Sequence, residues 1–341
     1  MRKIKFLLNL PFTFLSKYFE FNKLPFFYVF LMDYRCNSKC KTCGLWKSKN
    51  EPEIKSLDWF KIIDSIKDSP FWFTFTGGEP FLIKDFDKIV KYSILKNNPS
   101  MISFPTNGTL PEVIYKKTKS ILESSYKTDI VINLSLDHLF EKHDELRGND
   151  GNFEKLIETI NLLKPLKRQY PNFYIGINTV ISKYNINEIY TIYNYVKKLI
   201  KPDDHIFEVS QERFELNSKG QDFKGIKVKQ FLKFLIKKDK KDLMRKKDLS
   251  FLKTYLRIKY YKSIFKKNKK MCNAGIMSAE IMPNADVIRC GINNRILGNL
   301  KDYNYNFKKL WKSKQALKLR SKQRRIKCNC DLVSVFYINQ F

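Results

Sequence analysis

Tyr28-Val29-Phe30-Leu31-Met32 is a continuous apolar run that opens into a polar loop containing Cys36-Asn37-Ser38-Lys39-Cys40-Lys41-Thr42-Cys43. A short apolar run bounded by loop residues reads as a buried strand. The loop after it concentrates three thiols at the spacing C-x3-C-x2-C. Three thiolates from one short loop suit three irons of a cubane cluster and leave the fourth iron open to a ligand. A zinc site wants four protein ligands, and no fourth Cys or His stands nearby.

Outward from this strand the pattern repeats. Apolar runs at 71–75, 101–104, 130–136, 173–181 and 205–209 read as further strands. They alternate with helical spacing at 57–66, 86–95, 111–122, 153–166 and 186–200. Six strand–helix repeats predict a parallel sheet with right-handed crossovers, and continuous apolar strands predict burial on both faces. Polar and Gly-rich segments follow the strands: Gly77-Gly78-Glu79-Pro80, Thr106-Asn107-Gly108 and Asp137-His138. Sites in β/α barrels are built at those carboxyl ends. Six repeats are too few to close an eightfold barrel, so the expected fold is α/β, a partial (β/α)6 barrel followed by a small hairpin-containing cysteine module. The expected divisions are an amphipathic segment over 1–25, the barrel over 26–220, a basic helical connector over 221–270 and the cysteine module over 271–341.

The cysteine triad after the first strand and Gly-Gly-Glu-Pro after the second resemble the radical S-adenosylmethionine (radical SAM) superfamily. The resemblance implies that Cys36, Cys40 and Cys43 hold a 4Fe–4S cluster whose open iron binds SAM. Reductive cleavage of SAM then yields a 5′-deoxyadenosyl radical that abstracts a hydrogen atom from substrate. It further implies that Gly77, Gly78, Glu79 and Pro80 line the SAM site, with Glu79 meeting the SAM ammonium. Asn107 lines the same site, Arg147 pairs with the SAM carboxylate, and Ser135 hydrogen-bonds nearby. Two positions depart from the family pattern. Thr42 stands where an aromatic residue often precedes the last cysteine, and His138 where Gly usually follows the aspartate. No catalytic base can be matched.

The remaining cysteines, Cys272, Cys290, Cys328 and Cys330, flank an expected hairpin over 281–289 with its turn at Pro283-Asn284-Ala285-Asp286. A four-cysteine zinc site fits the same count. The arrangement resembles the SPASM/Twitch extension of radical SAM enzymes, which implies one auxiliary 4Fe–4S cluster that takes up an electron. Cys328-x-Cys330 is closer than the commoner C-x2-C.

The 341 residues include 65 Lys+Arg against 34 Asp+Glu, a formal net charge of +31, and 53 of the basic residues are Lys. The stretch 221–270 alone holds 19 basic and 4 acidic residues. Hydrophobic residues at 43% and aromatics at 15% exclude disorder as the main state. An odd number of grouped cysteines excludes a secreted disulfide framework, and no uncharged apolar run reaches the ~20 residues of a membrane span. A cytoplasmic location is expected, with peripheral contact to anionic membrane through an interfacial helix near the N-terminus, or that helix covering the barrel floor. The scarcity of Arg argues against nucleic-acid binding, and an open cluster site argues against a mere electron carrier.

The sequence therefore predicts a radical SAM oxidoreductase or biosynthetic enzyme. Its expected substrate is a small molecule (sugar, cyclitol, nucleotide or lipid-linked), with maturation of a ribosomally made peptide as the alternative. A reductase such as flavodoxin or ferredoxin is the expected partner. Glu208, Gln211, Glu212 and Arg213, after the sixth strand, are the candidate substrate contacts.

Overall fold

A computed structural model describes residues 24–48, 52–66, 70–214, 216–243, 250–265, 270–323, 327–328, 330–332, 334, 336 and 339. The expected amphipathic segment over 1–25 lies outside the described residues except for its last two.

Six strands follow one another in parallel: β1 (Phe27–Leu31), β2 (Trp72–Thr76), β3 (Met101–Thr106), β4 (Asp129–Ser135), β5 (Phe173–Ile181) and β6 (Asp204–Val209). They pair in chain order from β1 to β6. Helices connect them: α1 (Ser56–Ser65), α2 (Phe86–Asn97), α3 (Pro111–Glu123), α4 (Phe140–Arg147), α5 (Asn152–Leu163) and α6 (Ile189–Tyr195). Pro111 occupies the first turn of α3, where its missing N–H costs nothing. Gly148 ends α4 in the left-handed conformation, the usual helix stop that glycine adopts without strain.

The strands alternate in burial, where the sequence predicted apolar burial on both faces. In β2, Phe73 and Phe75 are fully buried while Trp72, Thr74 and Thr76 are half-buried, and β4 alternates in the same way. The buried set joins Phe86, Ile89, Ile102, Phe104 and Ile121 in one apolar core. The other set faces a cleft. Because the sheet curves round a hollow, its inner face carries Thr, Ser and Asn, and only the outer face is continuously apolar.

The basic stretch folds as two helices, α7 (Ile226–Leu243) and α8 (Ser250–Ser263). Val228, Phe231, Leu232 and Leu235 are buried, and Lys229, Lys233, Lys237 and Lys240 are exposed. Arg257 on α8 donates to Asp239 at 2.8 and 2.6 Å and also meets Asp204, and Lys253 lies 2.9 Å from Asp204. Both helices are thereby tied to the start of β6. The lysines form a solvated face over an ordinary apolar seam.

After α8, β7 (Lys270–Met271) pairs with β11 (Lys327–Cys328) in a separate small ribbon. The C-terminal hairpin between them does not stand apart. Its strands β8 (Ser278–Ile281), β9 (Asp286–Cys290) and β10 (Asn293–Asn299) extend the barrel sheet, with β8 parallel to β1 and β9 and β10 antiparallel beyond it. The result is a nine-stranded open sheet, the partial barrel expected, enlarged on its β1 edge. Among the described residues, no helix is long and apolar enough to cross a membrane.

Candidate active site

The cysteine loop is clamped by three neighbours at the carboxyl ends of the strands. From the β2 side, Gly78 N donates to Asp33 O at 2.9 Å and Glu79 N to Arg35 O at 3.0 Å. A Cβ on Gly78 would lie 2.1 Å from the Arg35 carbonyl oxygen, so only glycine permits this approach. From the β3 side, Asn107 Nδ2 donates to Asn37 Oδ1 at 2.7 Å and to Ser38 Oγ at 3.1 Å. From α4, Lys39 N and Lys41 N donate to the carbonyls of Arg147 and Leu146, each at 2.9 Å.

All three thiols line a cleft of about 370 Å³ together with Gly77, Gly78, Asn107, Ser135 and Arg147. Burial pushes the Cys36 thiol up to about 12 and raises Cys40 and Cys43 as well. Thiols in that condition become ligands only when a metal supplies the positive charge. Among the described residues, no three Cys, His, Asp or Glu side chains crowd together as around a single ion. A cubane asks for less crowding, because each thiolate binds a different iron.

Arg147 is 9% exposed, and its Nη1 donates to Asp137 Oδ2 at 3.0 Å. Burial works to lower its pKa, but Cys40, Asp137, Cys36 and Cys43 around it raise it, so the guanidinium stays charged. Its Nε is buried without a partner. A buried donor left unpaired is costly, and a carboxylate-bearing ligand beside the cysteines would satisfy it. Asp137 is itself fixed: Oδ1 accepts from Val180 N at 2.8 Å, and its carbonyl accepts from Asn185 Nδ2 at 2.8 Å. The donor set and the unpartnered Arg147 Nε thus fit a cluster with an amino-acid ligand.

Two expected SAM-site residues sit elsewhere. Glu79 is 1% exposed and Pro80 is buried, and both lie behind the cleft wall. Glu79 accepts from Thr106 Oγ1 and Asn107 N, each at 2.8 Å, and from Phe81 N at 3.2 Å. Its carboxylate braces the ends of β2 and β3. Of the residues expected to meet substrate, Glu208, Gln211 and Arg213 line the cleft and Glu212 does not. Glu212 is exposed; its amide donates to Asp222 Oδ1 at 2.7 Å and its Oε1 accepts from Gly220 N at 2.6 Å.

Cys272 and Cys290 are buried and cluster with Ala274 and Leu332, with half-buried Cys330 packed against them. The backbone of Cys328 pairs with that of Lys270, two residues from Cys272. The fold therefore groups Cys272, Cys290 and Cys330 and carries the backbone of Cys328 to the strand just before Cys272. The same segment reaches the cleft, where Leu332 and Ser334 form part of the lining, and Gln211 Oε1 accepts from Asp331 N at 3.1 Å. Sequence reasoning missed Glu280 of β8, which also lines the cleft. Its signal was a lone acid inside the short strand Ser278-Ala279-Glu280-Ile281.

The model of the radical SAM superfamily matches residues 32–196, the stretch that carries the triad, Gly77-Gly78 and Arg147. These residues form a radical SAM domain. Domains of this family bind SAM and a 4Fe–4S cluster. The cysteine-type anaerobic sulfatase-maturating enzyme of Clostridium novyi is 29% identical over 180 residues, covering 48% of this chain and 45% of its own. The GTP 3′,8-cyclase of Clostridium botulinum is 31% identical over 175 residues, covering 48% of this chain and 50% of its own. The chain thus spans about half the length of these curated relatives. Among solved structures, anSMEcpe with bound AdoMet and the Cp18Cys peptide superposes with a TM-score of 0.63. It shares 19% identity and covers 88% of this chain and 83% of its own.

Proposed function

We propose that this radical SAM protein removes a hydrogen atom from a substrate seated in the cleft, and that Cys272, Cys290, Cys328 and Cys330 would hold a second 4Fe–4S cluster able to accept an electron from the product side. The observation that carries the reading is the clustering of three thiols, Cys40 buried and Cys36 and Cys43 half-buried, with the unpartnered Arg147 Nε in one cleft at the carboxyl ends of a parallel sheet. When bound, SAM and the reduced cluster supply a 5′-deoxyadenosyl radical.

The chain's residues supply placement. Cys36, Cys40 and Cys43 would hold three irons of the cluster, and Asn107 with Gly78 fixes the loop that carries them. Arg147 pairs with the carboxylate of SAM, and Asp137 keeps the guanidinium aimed. Ser135 and Gly77 line the wall on that side. The apolar edge formed by Val29, Leu31 and Leu45 keeps water from the reacting centre. An acidic reductase of the flavodoxin or ferredoxin kind is the proposed electron source, approaching a strongly basic surface.

A peptide side chain is the substrate class best supported, because a sulfatase-maturating enzyme aligns with this chain and the similarly folded anSMEcpe was solved with a peptide. A small molecule is the second reading, supported by a cleft volume at the lower end of ordinary small-ligand sites. Anaerobic reconstitution followed by assay for 5′-deoxyadenosine tests the chemistry, and no product from a fully iron-loaded, reduced enzyme would refute it.

A further inference from the structure

Among the described residues, three aromatic rings line the cleft: Phe27, Trp46 and Trp72. Two of them are already engaged with each other. Phe27 and Trp72 stand in register at the first positions of β1 and β2, with ring centroids 4.6 Å apart, and Trp72 Nε1 donates to Ser103 Oγ at 2.8 Å. They lie at the amino ends of the strands. The thiols gather at the other end, about 13 Å away at roughly 3.3 Å per residue. Trp46 is the ring at the thiol end, and among the described residues no other aromatic ring packs against it.

The cysteine loop fixes where Trp46 stands. After Cys43 the chain makes a tight 3-10 turn over Leu45–Lys47. Gly44 N donates to Leu216 O at 2.8 Å, and a Cβ on Gly44 would lie 2.2 Å from Asn217 O, so the turn is pressed against the segment after β6. Trp46 Nε1 donates to Cys43 O at 2.9 Å and lies 3.4 Å from Cys40 O. The indole N–H, which wants a partner when it leaves water, is satisfied within the loop, and the ring is pinned beside the thiols. Lys47 is exposed, does not line the cleft, and stands 5.3 Å from the ring centroid. It covers the ring from the solvent side. Thr42 also lines the cleft but offers no ring.

A flat heterocycle entering this end of the cleft meets one ring able to take it, and SAM carries such a heterocycle. We propose that Trp46 seats the adenine of SAM by stacking. The inference rests on the SAM-binding reading of the cleft. It divides recognition of SAM between two elements of the chain. The amino-acid half depends on Arg147 at the end of α4, and the nucleoside half on the turn that follows the triad.

The test is anaerobic equilibrium dialysis of the cluster-reconstituted, unreduced enzyme against SAM and against S-methylmethionine, which keeps the sulfonium and the amino acid but has no adenosine. Trp46→Leu should weaken SAM binding about tenfold, the order of one base stack, and leave S-methylmethionine unchanged. Trp46→Phe keeps a ring and loses the indole hydrogen bond, and should stay within about threefold of wild type for SAM. Undiminished SAM affinity in Trp46→Leu, or equal losses for both ligands, would overturn the proposal. So would a loss in Trp46→Phe as large as in Trp46→Leu. Tryptophan emission reads the contact directly. SAM should quench the wild type, and the SAM-saturated Trp46→Phe protein should show a smaller quench; the same change in both proteins would contradict the stack. SAM binding indifferent to the ring at this position sinks only this inference, and absence of SAM binding by the wild type sinks the reading beneath it.

Discussion

Glu79 and Asn107 are joined by a 2.8 Å hydrogen bond in which the Asn107 amide donates to a carboxylate oxygen that is sealed from solvent. Asn107 in turn holds Asn37 and Ser38 of the cysteine loop. The carboxylate therefore acts on the cluster site at one remove, by fixing the strand ends from which the loop is gripped.

Burial pushes Glu79 up to about 7, against the lowering effect of its hydrogen bonds from Asn107, Thr106 and Phe81. An acid whose folded pKa exceeds its unfolded value holds its proton longer in the native state. Stability is then full below the unfolded pKa near 4.5, falls as pH rises toward 7, and levels off above that. The slope is at most about 1.4 kcal/mol per pH unit inside this window. Thermal melts of the cluster-free protein between about pH 4.5 and 8 should show the fall, and Glu79→Gln should flatten it.

Gly78→Ala places a methyl group 2.1 Å from the Arg35 carbonyl oxygen, a backbone atom that yields only if the loop moves. Overpacking of this kind costs about 1–3 kcal/mol. The expected result is a lower melting temperature together with at least about tenfold weaker SAM binding, read by equilibrium dialysis. Gly151→Ala is the control, because a Cβ there meets nothing within 4 Å. Its positive φ confines the cost to local backbone strain.

Arg147→Lys keeps the charge and loses the fork. Arginine offers both Nη1 to Asp137 and a second donor to a ligand, where lysine presents one ammonium. SAM affinity should fall about tenfold or more while the cluster still assembles, which iron content and the visible absorbance of the cluster would report.

The partial barrel was legible because helical and strand periods alternate cleanly from residue 26 to 210, and because Cys36, Cys40 and Cys43 fall on the first crossover loop. What could not be read was the pairing of β8 with β1, since nothing local in Ser278-Ala279-Glu280-Ile281 announces a partner so far back along the chain. The role of Glu79 was equally hidden. Its place in Gly-Gly-Glu-Pro suggests the ligand, but only the fold shows that the strand turns its carboxylate inward to Thr106. Glu212 was misplaced among the substrate contacts for a related reason. Gln211 and Arg213 line the cleft while Glu212 between them bonds to Asp222 on the outside, so neighbours in sequence face opposite sides.

Cys272 and Cys290 bear on the second cluster. Reconstituted wild-type enzyme should hold about eight irons, and Cys272→Ala with Cys290→Ala should reduce this to about four with no zinc bound in either form. Elemental analysis decides it. Zinc in the wild type beside about four irons would replace the auxiliary cluster with a structural metal site.

The central claim is that three thiols of one loop make this protein a SAM-cleaving enzyme. Anaerobically reconstituted wild type, reduced with dithionite in the presence of SAM, should produce 5′-deoxyadenosine, and the variant with Cys36, Cys40 and Cys43 replaced by Ala should produce none while keeping the iron of the second set. Formation of 5′-deoxyadenosine by that triple variant at the wild-type rate would contradict the account.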